Sequence, residues 1–160
     1  MKMSYTRFLA MIAISTIAMF ALMYLNTYAW DHVRFSETRV YAALYMGATM
    51  AIIMLSFMLG MYTNRRANLA IIVVSVLVFG VALYLLRSQV LVGDVSYMRA
   101  MIPHHSIAIL TSERAQITDP RVRALADGII EAQRREIAEM NALIVDLQGG
   151  PPATPEIDGR

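Results

Sequence analysis

Three long stretches of the chain contain no charged residue, and they constrain the fold more than any other feature. They cover residues 8–28, 40–62 and 67–86, which are 21, 23 and 20 residues long. A helix needs about 20 apolar residues to cross a bilayer, and a charge at its centre costs about 3 kcal/mol. The sequence therefore predicts three transmembrane helices. Since the connections at 29–39 and 63–66 are short, neighbouring helices should run antiparallel.

The first stretch could instead be a secretory signal peptide, because Lys2 and Arg7 precede it. The apolar core of such a signal is about 7–15 residues long, shorter than this stretch. In addition, Thr27-Tyr28-Ala29 is a poor cleavage site. We therefore expect the first helix to be retained in the membrane.

The composition excludes several classes of protein. Hydrophobic residues make up 58% of the chain and charged residues 16%, against about 25% charged in soluble domains. The net charge of +2 comes without a basic run, so no nucleic-acid partner is predicted. The chain has no cysteine, which excludes thiolate chemistry and disulfides. No Glu-x-x-His, His-Glu-x-x-His, P-loop or Gly-x-Ser-x-Gly motif is present, so we predict no enzyme activity, no catalytic residue and no organic cofactor.

After residue 90 the pattern changes to that of a polar helical hairpin. Asp94 is a candidate N-cap for a helix over 95–117, with a kink at Pro103. Asp119-Pro120 begins a second helix that runs to Gln148. The predicted fold is all-α, with a membrane domain at 1–90, a hairpin domain at 94–148 and a flexible tail at 149–160. The second helix has one apolar stripe, formed by Val122, Ala126, Ile129, Gln133, Ile137, Met140, Ile144 and Leu147.

Flanking charges give the orientation. The N-terminus and the second loop carry four basic residues, and the opposite side carries three in its short segments. Since basic residues favour the cytoplasmic side, we predict the N-terminus inside and the hairpin outside. All three histidines would then lie on the outer side. Those histidines are His32, His104 and His105.

A methionine–histidine cluster in the first hairpin helix is the main candidate site. Met98, Met101 and His105 are three and four residues apart and share one helix face, whereas His104 points about 100° away. Glu136 and Met140 are four residues apart on the second helix and could meet this cluster. Thioether and imidazole ligands favour copper, especially Cu(I). The alternative is that these methionines only fill the core.

The stretch Met98-Arg99-Ala100-Met101-Ile102-Pro103-His104-His105-Ser106-Ile107-Ala108-Ile109 resembles the domain of unknown function 305 family. The second helix of the hairpin also matches the register of the family pattern. The resemblance covers residues 94–147 and implies a ferritin-like helical domain, often periplasmic and in some members copper-binding. It implies as ligands Met98, Met101, His104, His105 and Met140, with Glu136 as a further candidate.

Two departures from the family pattern bear on assembly. Thr111 stands where members often have methionine, seven residues after the first histidine, and this chain has one helix pair where many members have two. The resemblance therefore implies that a second subunit supplies the missing pair. We predict a homo-oligomer, a dimer in the simplest case, in which two hairpins form a four-helix bundle.

A second methionine pattern lies in the middle span. Met46, Met50, Met54 and Met58 recur every four residues, with Met61 on the same side. Such a stripe could pass a soft cation along the helix, or it could serve helix packing, for which flexible methionine is suited.

The first loop is also open to two interpretations. Its polar residues Asp31, His32 and Glu37 are either solvated or additional ligands.

These observations predict a membrane-anchored protein that binds copper at the outer face of a bacterial inner membrane. Its role would be in copper handling or copper resistance. The three spans are predicted to lie in the lipid bilayer. Two other functions remain open: a structural subunit of a membrane complex without metal, and a small methionine-lined metal transporter.

Overall fold

The computed structural model describes residues 4–153, and within this range the chain is all-helical with no β-strand. The predicted all-α fold is thus confirmed. Lys2 and most of the predicted tail lie outside the described residues. A short 3₁₀ turn, Trp30–His32, interrupts the connection between the first two helices. The five α-helices are α1 (Tyr5–Leu22), α2 (Glu37–Phe57), α3 (Arg65–Ser88), α4 (Asp94–Arg114) and α5 (Pro120–Leu147).

The first three helices are the predicted spans. They contain 18, 21 and 24 residues, and all three are long and apolar enough to cross a membrane. The first helix ends at Leu22, six residues before the end of its charge-free stretch. There the backbone N–H of Thr27 bonds to the carbonyl of Tyr24, and the Thr27 hydroxyl donates to the same oxygen. A lack of charge therefore marks the span but not the end of its helix.

The chain forms two compact units. Among the described residues, one contains residues 4–23 and Glu37–Leu91, and the other contains Tyr24–Ser36 and residues 92–153. In the first unit α2 packs against both α1 and α3. Small residues on α2 permit this: a Cβ at Gly47 would lie 2.2 Å from the Thr16 hydroxyl oxygen. Close approach at small residues is a common basis of helix packing in membranes.

A polar cluster holds the start of α1 against the turn between α2 and α3. The Tyr5 hydroxyl donates to Asn68 Oδ1 at 2.8 Å, and Asn68 Nδ2 donates to the Tyr62 carbonyl at 2.7 Å. The rings of Tyr5 and Phe8 pack on Tyr62, with centroids 5.0 and 5.3 Å away. Because these polar groups satisfy one another, the cluster is compatible with an apolar surrounding.

In the second unit α4 and α5 pack together as a hairpin. Its core contains Met98, Ile102 and Ile109 from α4, and Ile137, Met140 and Ile144 from α5. The predicted stripe of α5 is thus buried in part within the chain itself. Val122 and Leu147, at its two ends, are exposed. Packing against α4 therefore covers the central part of the stripe and leaves its two ends exposed.

Both ends of α5 follow the sequence signals. Asp119 caps the N-terminus by accepting a 2.8 Å hydrogen bond from the backbone N–H of Arg121. At the C-terminus Gly149 has φ of +86°, and the N–H of Gly150 bonds to the Val145 carbonyl at 2.9 Å. This is the Schellman arrangement, which favours glycine at the left-handed position.

The ends of α4 differ slightly from the prediction. Gly93 is the N-cap and Asp94 the first helical residue, where its negative charge faces the positive end of the helix dipole. The helix continues through Pro103 and ends at Arg114, three residues earlier than expected. The Ala115 backbone is extended, which ends the helix at that point.

Residues 24–36 pack against the hairpin. The backbone N–H of Tyr28 donates to the hydroxyl of the fully buried Ser106 at 2.7 Å. Nδ1 of His32 lies 2.9 Å from the same hydroxyl oxygen, and Arg34 donates to Asn141 at 3.2 Å. The first loop is thus an integral part of the hairpin unit rather than a freely solvated connection.

Candidate metal centre

A cleft of about 420 Å³ lies between α4 and α5 and collects most of the predicted ligands. On α4 these predicted ligands are three and four positions apart and share one helix face. On α5 they are four positions apart and likewise share one face. Five of the six predicted site residues line it. They are Met98, Met101, His105, Glu136 and Met140.

His105 and Glu136 are in direct contact across the cleft. Nδ1 of His105 lies 2.9 Å from Oε2 of Glu136. The ring nitrogen is buried, but it has no well-aligned hydrogen bond, so the contact is mainly electrostatic. Gln133 Nε2 donates to the same carboxylate oxygen at 3.2 Å. The carboxylate is therefore positioned from its own helix by a neighbouring amide.

Burial lowers the pKa of His105 below its ordinary value, because it disfavours the charged imidazolium. The Glu136 carboxylate acts in the opposite direction, and the nearby His104 adds to the lowering. The net direction favours the neutral ring at pH 7. Neutral imidazole is the form that binds metal ions.

His104 occupies a different environment. Its side chain is exposed and does not line the cleft, and its ring centroid is 6.2 Å from that of His105. Consecutive residues on a helix point about 100° apart, so the two rings cannot share one face. The structure therefore brings together five of the predicted ligands and leaves His104 outside the cleft.

The methionines of the cleft also belong to the hydrophobic core. Met98 and Met140 are 6% and 9% exposed, and Met101 packs against the same cluster. In residues 4–153, no three His, Asp or Glu side chains come close enough to hold a metal ion. A metal at this position would therefore depend on thioether sulfur in addition to His105 and Glu136.

The cleft has further lining residues that the sequence reasoning missed. Asp94 and Tyr97 extend the α4 side, and Glu139 and Leu143 extend the α5 side. A signal for them was present, since Asp94 lies four residues before Met98 on the same face. Thr111 is exposed and its hydroxyl donates to the Ile107 carbonyl at 3.0 Å, so it does not replace the methionine common in the family.

The methionine stripe of α2 does not line the described cavity among the spans. That cavity, of about 400 Å³, has aliphatic and small residues on its walls, such as Ile12, Ala51 and Val74. Met54 and Met58 instead pack beside the cluster around Phe8. These two methionines of the stripe thus take part in helix packing.

Together, the fold and the cleft define an all-helical protein with three membrane-length helices and a helical hairpin that presents thioether, imidazole and carboxylate groups. The family described as Domain of unknown function (DUF305) matches residues 94–156. The chain is 30% identical over 142 residues to "Uncharacterized protein L153" of Acanthamoeba polyphaga mimivirus, an alignment that covers 84% of this chain and 91% of the relative. The chain belongs to the DUF305 family.

The alignment with the viral protein extends well beyond residues 94–156, so that protein resembles the span region as well as the hairpin. No solved structure matches the chain.

Proposed function

We propose that this protein binds copper, as Cu(I), in the cleft between α4 and α5, in copper handling or resistance. The observation that carries the proposal is the convergence of Met98, Met101, Met140 and His105 on one cleft. Soft thioether sulfur with imidazole selects Cu(I) over hard cations such as Mg²⁺. Glu136 would orient the His105 ring or complete the ligand set. We propose a binding role without catalysis.

The chemistry of the cleft fits such an ion. Nδ1 of His105 is buried without an aligned hydrogen-bond partner, and a buried polar atom of this kind is rare in folded proteins. The lowered pKa of His105 keeps its lone pair available near neutral pH. Methionine side chains are flexible, so Met98 and Met140 can turn towards an ion at low cost.

The direct test is the metal content of the full-length protein purified in detergent without added metal, and again after loading with Cu(I) under reducing conditions. We expect close to one copper per cleft after loading, and no retention of Mg²⁺ or Ca²⁺. Protein that keeps no copper through desalting would contradict the proposal.

A metal-free structural role is the second candidate, and the core position of Met98 and Met140 favours it. In that case the methionines serve only packing. The protein would then remain metal-free after loading, and its thermal stability would be the same with and without Cu(I). Bound copper, in contrast, raises the stability of the folded state by mass action.

We further propose that the protein lies in a bacterial inner membrane with its hairpin on the outer side. Arg65 and Arg66, the first two residues of α3, support this orientation because basic residues favour the cytoplasmic side. A phosphatase reporter fused after Gln148 should be active, since that enzyme folds only outside the cytoplasm. The matched control is a fusion within the α2–α3 connection, which should be inactive. The reverse pattern would overturn the orientation.

The hairpin offers a surface for a second copy of this chain. Four exposed apolar residues on α5 lie seven and eleven residues before and after Glu136. They therefore share the face that borders the cleft. A second hairpin on this face would complete a four-helix bundle and bring two clefts together. These residues are Leu125, Ile129, Leu143 and Leu147.

A further inference from the structure

Residues 24–36, the segment that connects α1 and α2, expose large apolar side chains. Trp30 is 83% exposed, Leu25 67% and Phe35 62%. The two helices that flank the segment are both long and apolar enough to cross a membrane. Arg39 near the start of α2 donates a hydrogen bond to the Met23 carbonyl at the end of α1, so the two ends of the segment are held close together.

Several hydrogen-bonding groups of this segment bond to the hairpin. The Tyr28 N–H and His32 meet the hydroxyl of Ser106, and Arg34 donates to Asn141. Leu25, Trp30 and Phe35 remain on the outside. A loop surrounded by water normally shows the opposite arrangement, with its polar groups solvated and its large apolar groups covered.

We propose that residues 24–36 form an interfacial segment that lies in the headgroup layer of the bilayer, with Trp30 and Phe35 inserted at the edge of the acyl chains. The segment joins two consecutive spans, so both of its ends lie at the same membrane face. Tryptophan is enriched at this depth because its ring is apolar and its N–H is polar.

The neighbouring charge sets the depth. Asp31 follows Trp30 directly and is exposed, and a carboxylate in the hydrocarbon core is costly. The segment therefore stays shallow. Ser106, which receives two of its contacts, follows His105 on α4. The interfacial segment thus contacts the helix that carries the proposed copper ligand.

Trp30 is the one tryptophan of the chain, so its fluorescence reports on this position directly. The full-length protein would be reconstituted into phosphatidylcholine nanodiscs containing a lipid with a nitroxide at the headgroup, at a shallow acyl carbon or at a deep acyl carbon. We expect blue-shifted emission, with stronger quenching by the headgroup and shallow labels than by the deep label. Iodide in the water should quench Trp30 weakly.

The control is Arg121→Trp in a Trp30→Phe background, since the Arg121 side chain is 91% exposed and lies on the hairpin outside the segment. This tryptophan should emit as in water and respond to iodide. Phe35→Trp in the same background should behave like Trp30. Together these three positions separate insertion of the segment from general proximity of the hairpin to lipid.

Three results would overturn the proposal. They are water-like emission of Trp30 with strong iodide quenching, blue-shifted emission that no lipid label quenches, and equal lipid quenching at positions 30 and 121. The second result would mean that another protein surface covers Trp30. Since no metal is involved, the outcome is independent of the copper proposal.

Discussion

Replacing His105 with alanine should lower the affinity for Cu(I) at least tenfold, or about 1.4 kcal/mol. The substitution removes the imidazole that lines the cleft and leaves the Glu136 carboxylate without its partner across the cleft. Competition with a colorimetric Cu(I) chelator on the purified full-length protein measures the effect. The helix content, followed by circular dichroism, should remain unchanged because His105 is not part of the buried core.

The adjacent histidine provides the matched control. His104 has the same side chain and precedes His105 directly, but it is exposed outside the cleft. His104→Ala should therefore reduce the affinity much less than His105→Ala. Equal losses in the two single variants would contradict the assignment. An unchanged affinity in the double variant would remove the cleft as the copper site.

Leucine substitutions separate the two roles of the methionines. Met98→Leu and Met140→Leu nearly conserve side-chain volume, and such changes in a core usually cost less than about 1.5 kcal/mol. They also remove the thioether sulfur. If the methionines are ligands, these variants keep their stability and lose copper. If the methionines serve packing alone, the variants bind copper as well as the unchanged protein does.

Leu125→Asp should weaken self-association of the detergent-solubilised protein tenfold or more and shift it towards monomer. Leu125 is 65% exposed on the α5 face that borders the cleft, and an unpaired carboxylate in an apolar interface is strongly unfavourable. Native mass spectrometry or crosslinking over a range of protein concentrations measures the shift. Because Leu125 does not line the cleft, copper binding within one chain is not directly changed.

Val145→Asp is the matched control, since Val145 is also exposed and lies on the opposite side of α5. This variant should associate like the unchanged protein. A monomer at all concentrations in the unchanged protein would contradict the four-helix bundle. Lipid labels that quench a tryptophan placed at position 125 would instead show that this face lies on the membrane.

The amino-acid sequence by itself determined the elements of this protein. Three charge-free stretches became three membrane-length helices, and Asp119 capped α5 where expected. Met98, Met101 and His105 share one face of α4, and Glu136 and Met140 share one face of α5, because these faces follow from helical periodicity. These features depend on the chemistry of neighbouring residues, within one or two helical turns, and such patterns are legible in a sequence.

Only the tertiary structure decided what the first loop does and what covers the apolar stripe of α5. Residues 24–36 join the hairpin through contacts such as Tyr28 with Ser106, 78 residues apart, and Arg34 with Asn141, 107 residues apart. The contact between His105 and Glu136 likewise required the two helices to pack in one register. No periodic pattern encodes contacts of this kind, because they depend on how separate elements come together in space and not on the local preference of the chain.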